Sequence, residues 1–78
     1  MDMRKVVAQN LRRLRLDKGL SQEELALRAG VDRTYISALE RGVYSATVTM
    51  IGKLAAVLGV EPAMLLERPQ KGRADSRG

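Results

Sequence analysis

The chain has 78 residues, with 14 Lys and Arg against 9 Asp and Glu for a net charge of +5, and it contains no cysteine and no histidine. A domain of this length buries only about 60% of the surface its unfolded chain exposes, and with no disulfide and no Cys/His metal spacing its small core must be held by apolar packing alone. The composition therefore predicts no metal and no cofactor, suits a reducing cytoplasmic compartment, and favours an anionic partner.

The early apolar run, residues 6–8, is too short for a signal peptide, and no later run approaches the length of a membrane span. A soluble cytoplasmic protein without a membrane partner is expected. Sustained alternation is missing, so the chain reads as all-α.

In "MRKVVAQNLRRLRLDKG", Met3, Val7, Leu11, Leu14 and Lys18 share one helical stripe and Gly19 follows as a terminator, which predicts a first helix over 3–18. "LSQEELALRAG" then supplies Ser21 as an N-cap with Glu24 completing a capping box, and Leu20 and Leu25 as a hydrophobic staple, for a second helix over 22–29. Gly30 stops it, and Asp32 is placed to cap a third helix over 33–41, ended by Gly42. Thr47 caps a fourth over 48–58, closed by Gly59, and Pro62 opens a short fifth that runs to 67. Beyond it, "RPQKGRADSRG" has no apolar residue larger than alanine, so residues 68–78 are expected to form a disordered basic tail to a domain over 1–67.

The second and third helices are joined only by Gly30, Val31 and Asp32, the short glycine-containing connection of a helix-turn-helix. Ala26 is small where two such helices approach, and Val31, Ile36 and Leu39 supply the inward apolar positions. Through "GLSQEELALRAGVDRTYISALERG" the chain resembles the lambda-repressor-like (Cro/C1, or XRE-type) helix-turn-helix family, and the resemblance extends over residues 3–67. It implies a compact five-helix DNA-binding domain, a phosphate contact from Gln22 and a structural pairing of Glu40 with Arg15 of the first helix. Within that family, "DRTYIS" followed by "ERG" looks most like the controller proteins of restriction-modification systems.

The third helix can also be read by geometry. At about 100° per residue, with Arg33 at zero, Ser37, Arg41, Thr34 and Ala38 fall between about 40° and 140°, whereas Tyr35, Leu39 and Ile36 fall between about 200° and 300°. The first group leaves little bulk to hold the helix away from a major groove. Arg33 can give two hydrogen bonds to guanine, and Thr34 and Ser37 can bond a base edge or touch a thymine methyl. Tyr35, at the border of the apolar arc, either packs there or sends its hydroxyl to a phosphate. Gln22 starts the second helix, where exposed N–H groups favour an anion. Arg41 either binds phosphate or complements the helix dipole. The loop "GVYSAT" carries fewer basic residues than many relatives have, and Tyr44 reads as an exposed loop aromatic.

In the fourth helix Ile51, Leu54, Ala55 and Leu58 make the core face, while Leu65 and Leu66 of the fifth are expected to join it. Met50, Val57 and Met64 border that face, either as a loosely filled core edge or as an apolar patch for a second copy of the chain. A homodimer places two reading helices about 34 Å apart on one DNA face.

These features point to a sequence-specific transcriptional regulator, a dimer on a two-fold symmetric operator in double-stranded DNA, acting by occupancy to block or recruit RNA polymerase. The alternative is an adaptor or antitoxin that uses the fold as a protein-interaction module. An enzyme is not expected, because neither a familiar nucleophile-base pair nor a strand-linked phosphate loop can be assembled.

Overall fold

The computed structural model describes residues 2–68, which form α1 (Met3–Asp17), α2 (Gln22–Ala29), α3 (Arg33–Glu40), α4 (Val48–Leu58) and α5 (Ala63–Leu66), with no strand among the described residues. Of the expected tail, only Arg68 is described; the rest lies outside the described residues. α1, α2 and α4 each start where a polar side chain satisfies an orphan N–H group, whereas α3 has no such bond. Asp2 accepts from the Arg4 N–H at 3.0 Å, and Thr47 Oγ1 accepts from the Met50 N–H at 3.1 Å. At α2 the capping box is complete: Ser21 Oγ accepts from the Glu24 N–H at 3.0 Å and Glu24 Oε1 accepts from the Ser21 N–H at 2.9 Å. That backbone hydrogen bond holds the Glu24 carboxyl below its ordinary range.

The helix ends differ slightly from the expected bounds. Lys18 and Arg41 are C-caps rather than last helical residues, and α5 is a single turn that Pro62 precedes and Glu67 ends. The connection from α2 to α3 turns at Gly30, whose φ of +75° is the left-handed conformation that a Cβ disfavours. Space around it is open, so conformation and not crowding calls for glycine there. Past the turn, the Val31 N–H reaches the Ala26 carbonyl at 2.9 Å, which closes the end of α2.

α1 packs against both α3 and α5, and α2 against α3 and α4. Leu11, Leu25, Ile36, Leu39, Leu54, Leu58 and Leu65 are fully buried where these helices meet. Because α1 has neighbours on two sides, it buries Val6, Ala8 and Asn10 beyond the single predicted stripe, while Met3, at the head of that stripe, is largely exposed. Two further expectations fail. Ala38, placed by angle among the outward residues of α3, is only 6% exposed. Leu66 is 45% exposed, since Leu65 alone of the pair turns into the core from a one-turn helix.

Asn10 shows how that short helix is held. Its Nδ2 donates to the carbonyl oxygens of Leu65 at 3.0 Å and Glu67 at 2.6 Å, so carbonyls at the end of α5 are satisfied from α1. The amide is itself buried, which makes these bonds obligatory.

Candidate nucleic-acid interface

The helix-turn-helix pair is locked from behind by a buried ion pair. Arg15 Nε and Nη2 donate to Glu40 Oε2 and Oε1 at 2.6 and 3.0 Å, and the two side chains are only 8% and 3% exposed. Arg15 Nη1 adds a bond to the Leu20 carbonyl at 2.8 Å, just ahead of α2. One guanidinium thereby ties α1 to the end of α3 and to the entry of α2. The hydrogen bonds from Arg15 to Glu40 raise the arginine's pKa further above its ordinary value, so the guanidinium stays charged.

Gln22 joins the same network: its Nε2 donates to Glu40 Oε1 at 3.1 Å. The side chain expected to meet phosphate is thus half-buried and braced at the first turn of α2, with a second amide hydrogen and its carbonyl oxygen still unassigned. Nothing in the sequence pattern alone links Gln22 to Glu40, because the two are 18 residues apart and meet only once α2 and α3 pack.

Of the α3 residues expected to read bases, Arg33 and Thr34 are exposed at its N-terminal end and Ser37 is half-buried one turn later. Among the described residues Arg33 has no hydrogen-bonding or ionic partner, so all five guanidinium donors remain available. Thr34 is different: its hydroxyl donates to Asp32 Oδ2 at 3.0 Å. Asp32 occupies the N-cap position of α3 as expected, yet it makes no side-chain bond to the helix backbone. Its carboxylate faces the Thr34 hydroxyl instead of the N–H groups it was expected to cap.

Tyr35 is half-buried against the core edge. Its ring lies 6.2 Å from that of Tyr44 at an interplanar angle of 39°, within the range of favourable aromatic pairs. Tyr44 is therefore more than a loose loop residue: it flanks α3 from the α3–α4 connection. These two tyrosines are the chain's entire aromatic content, and nothing in their spacing predicts that they meet. Arg41 is exposed at the other end of α3, also without a partner among the described residues, and the Lys5 side chain runs beside the adjoining Gly42. Two cations thus border that end.

Met50, Val57 and Met64 are all half-buried and packed against the core. A second apolar face lies nearby. Val48 is 89% exposed, and with Ala46, Gly52, Pro62 and Leu66 it lines a groove of about 310 Å³ between α4 and α5.

Comparison with known proteins agrees with this geometry. The helix-turn-helix family profile matches residues 11–65. A hypothetical transcription factor of Neisseria meningitidis serogroup B is 50% identical over 70 residues, covering 90% of this chain and 66% of that protein, so the chain spans just under two thirds of that relative's length. The crystal structure of the restriction-modification controller protein C.AhdI from Aeromonas hydrophila is similar at a TM-score of 0.77 and 45% identity, covering 80% of this chain and 94% of that one. The biofilm master regulator SinR, solved in complex with DNA, is similar at a TM-score of 0.75 and 35% identity, covering 78% of this chain and 98% of that one.

Proposed function

The chain belongs to the helix-turn-helix family of transcriptional regulators, and from that membership we propose that it binds a two-fold symmetric DNA operator as a homodimer, in the manner of a restriction-modification controller protein. α3 lies in the major groove, with Arg33 giving two hydrogen bonds to a guanine and Thr34 and Ser37 meeting neighbouring base edges. Gln22, Tyr35 and Arg41 hold phosphates on either side and set the register. The observation that carries this reading is Arg33: a long, planar donor group at the exposed N-terminal end of α3, with no partner among the described residues. Occupancy of the operator then blocks RNA polymerase or recruits it. A methyltransferase or endonuclease gene beside this one would support the controller role.

Binding to random-sequence duplex DNA across a salt series tests the reading. A regulator that neutralises several phosphates loses affinity linearly on a logarithmic salt scale, with a slope near −0.9 per phosphate. An adaptor or antitoxin that uses the fold only for protein contacts shows no duplex binding at any salt. Gln22→Ala should lower affinity for every duplex alike by about 2- to 10-fold, the worth of one net hydrogen bond. Fluorescence anisotropy on two unrelated duplexes checks this.

The second copy is proposed to dock on Met50, Val57 and Met64, and a dimer on successive turns of one DNA face needs its reading helices about 34 Å apart. Val57→Lys and Met64→Lys should then shift sedimentation from dimer to monomer, while Val48→Lys and Leu66→Lys should not. The exposure of Val48 and Leu66 favours a second reading, in which the groove they line is the interface. The reverse pattern of variants would establish it.

A further inference from the structure

The Asp32–Thr34 contact assigns a polarity to part of the reading head. We propose that Asp32 and Thr34 act together as an acceptor-only reader, which selects a base offering an amino group in the major groove, adenine or cytosine, and rejects guanine and thymine. The inference rests on the proposed placement of α3 in that groove.

A threonine hydroxyl has one hydrogen to donate and two lone pairs to accept with. Left free, it rotates to suit either kind of base edge, which is why serine and threonine are ordinarily poor discriminators. Here the hydrogen is committed. Thr34 Oγ1 donates to Asp32 Oδ2 at 3.0 Å, long for a hydroxyl–carboxylate bond, and it is the negative charge of the acceptor that favours keeping the hydrogen there. What Thr34 can turn toward DNA is therefore lone-pair density and a methyl group. Asp32 adds a second acceptor in its other oxygen, which is free of the capping bonds that would otherwise engage it. Both side chains are exposed at the N-terminal end of α3.

Adenine presents N6–H and cytosine N4–H in the major groove, while guanine presents N7 and O6 and thymine presents O4 and a methyl. An acceptor-only pair gains a hydrogen bond from the first two. Against guanine or thymine it sets oxygen lone pairs and a negative charge opposite carbonyl oxygens, and the missing donor cannot be supplied without releasing the carboxylate. Arg33, which sits between the two in sequence, has the opposite polarity: it can only donate, and so suits guanine. The first turn of α3 thus carries two readers of contrary sense on successive residues. This also accounts for an acidic residue at a surface that must approach phosphates, where a carboxylate without a base-reading role only weakens binding.

Selection from a randomised duplex pool at one fixed salt concentration, run in parallel with the wild-type chain, Asp32→Ala, Asp32→Asn and Thr34→Val, tests the pair. Wild type is expected to enrich adenine or cytosine by about tenfold over guanine and thymine at one half-site position neighbouring a strongly selected guanine. Asp32→Ala frees the hydroxyl and should level that position to within about twofold while leaving the guanine untouched. Asp32→Asn, whose amide can donate, should admit guanine or thymine there, and Thr34→Val should weaken the preference without reversing it. Guanine or thymine at that position in the wild-type site overturns the proposal, as does an Asp32→Ala site identical to wild type. A wild-type chain that enriches no sequence overturns both this inference and the reading on which it rests. Unchanged far-ultraviolet circular dichroism of each variant confirms that folded proteins are being compared.

Discussion

Arg15→Ala, or Glu40→Ala, should destabilise the domain by about 3–5 kcal/mol, the usual consequence of leaving one member of a buried ion pair without its partner. The geometry explains why the cost falls at the upper end of what single substitutions do. Removing Arg15 strands the Glu40 carboxylate, 3% exposed, with only the Gln22 amide to answer it, and also removes the donor to the Leu20 carbonyl. Removing Glu40 leaves a guanidinium that is 8% exposed. Urea unfolding at low temperature, followed by circular dichroism, reads the loss as a lower midpoint at unchanged slope. The double variant Arg15→Met/Glu40→Met is expected to recover part of the loss, because two apolar side chains of similar volume need no desolvation of charge. Recovery stays partial, since the Leu20 carbonyl and the Gln22 amide still lack their partner. Single variants as stable as the wild type would mean that the pair does not hold α1 against α3.

Arg33→Ala should cost about 1–3 kcal/mol in binding to the selected operator and relax the preference at one guanine. Stability should barely move, because the side chain has no partner among the described residues to lose. Arg33→Lys separates charge from shape. Lysine keeps the attraction to phosphate but lacks the fixed fork that matches guanine O6 and N7, so affinity for random duplex should persist while the guanine preference falls. Titration of the variants on the operator and on a duplex substituted at that guanine provides the check. Equal losses on both duplexes would remove Arg33 as a reader and leave it a phosphate contact.

Much of the fold is legible because its punctuation is local. Ser21 with Glu24, Thr47, and the glycines after α2, α3 and α4 act over a single turn, and the structure places helix starts and stops within a residue or so of where they point. What escapes the sequence depends on which helices become neighbours. Ala38 is buried although it lies outside the apolar arc of α3, and Val6 and Ala8 are buried where α1 has both α3 and α5 as neighbours. Asn10 reaches carbonyls 55 and 57 residues away, a partnership with no periodic trace. The candidate interface divides in the same way. Arg33 and Thr34 stand where helix geometry puts them, whereas the brace on Gln22 and the pairing of the two tyrosines needed the assembled fold. Asp32 takes the N-cap position that the sequence predicts but bonds its neighbour's hydroxyl instead of the helix backbone, and the two uses have the same sequence signature.

Base reading by α3 is measured by the specificity ratio: the affinity for the selected operator divided by that for random duplex at one salt concentration. A sequence-reading regulator should bind its operator at least about 10³-fold more tightly than random DNA. Equal affinity for the two duplexes would contradict the account.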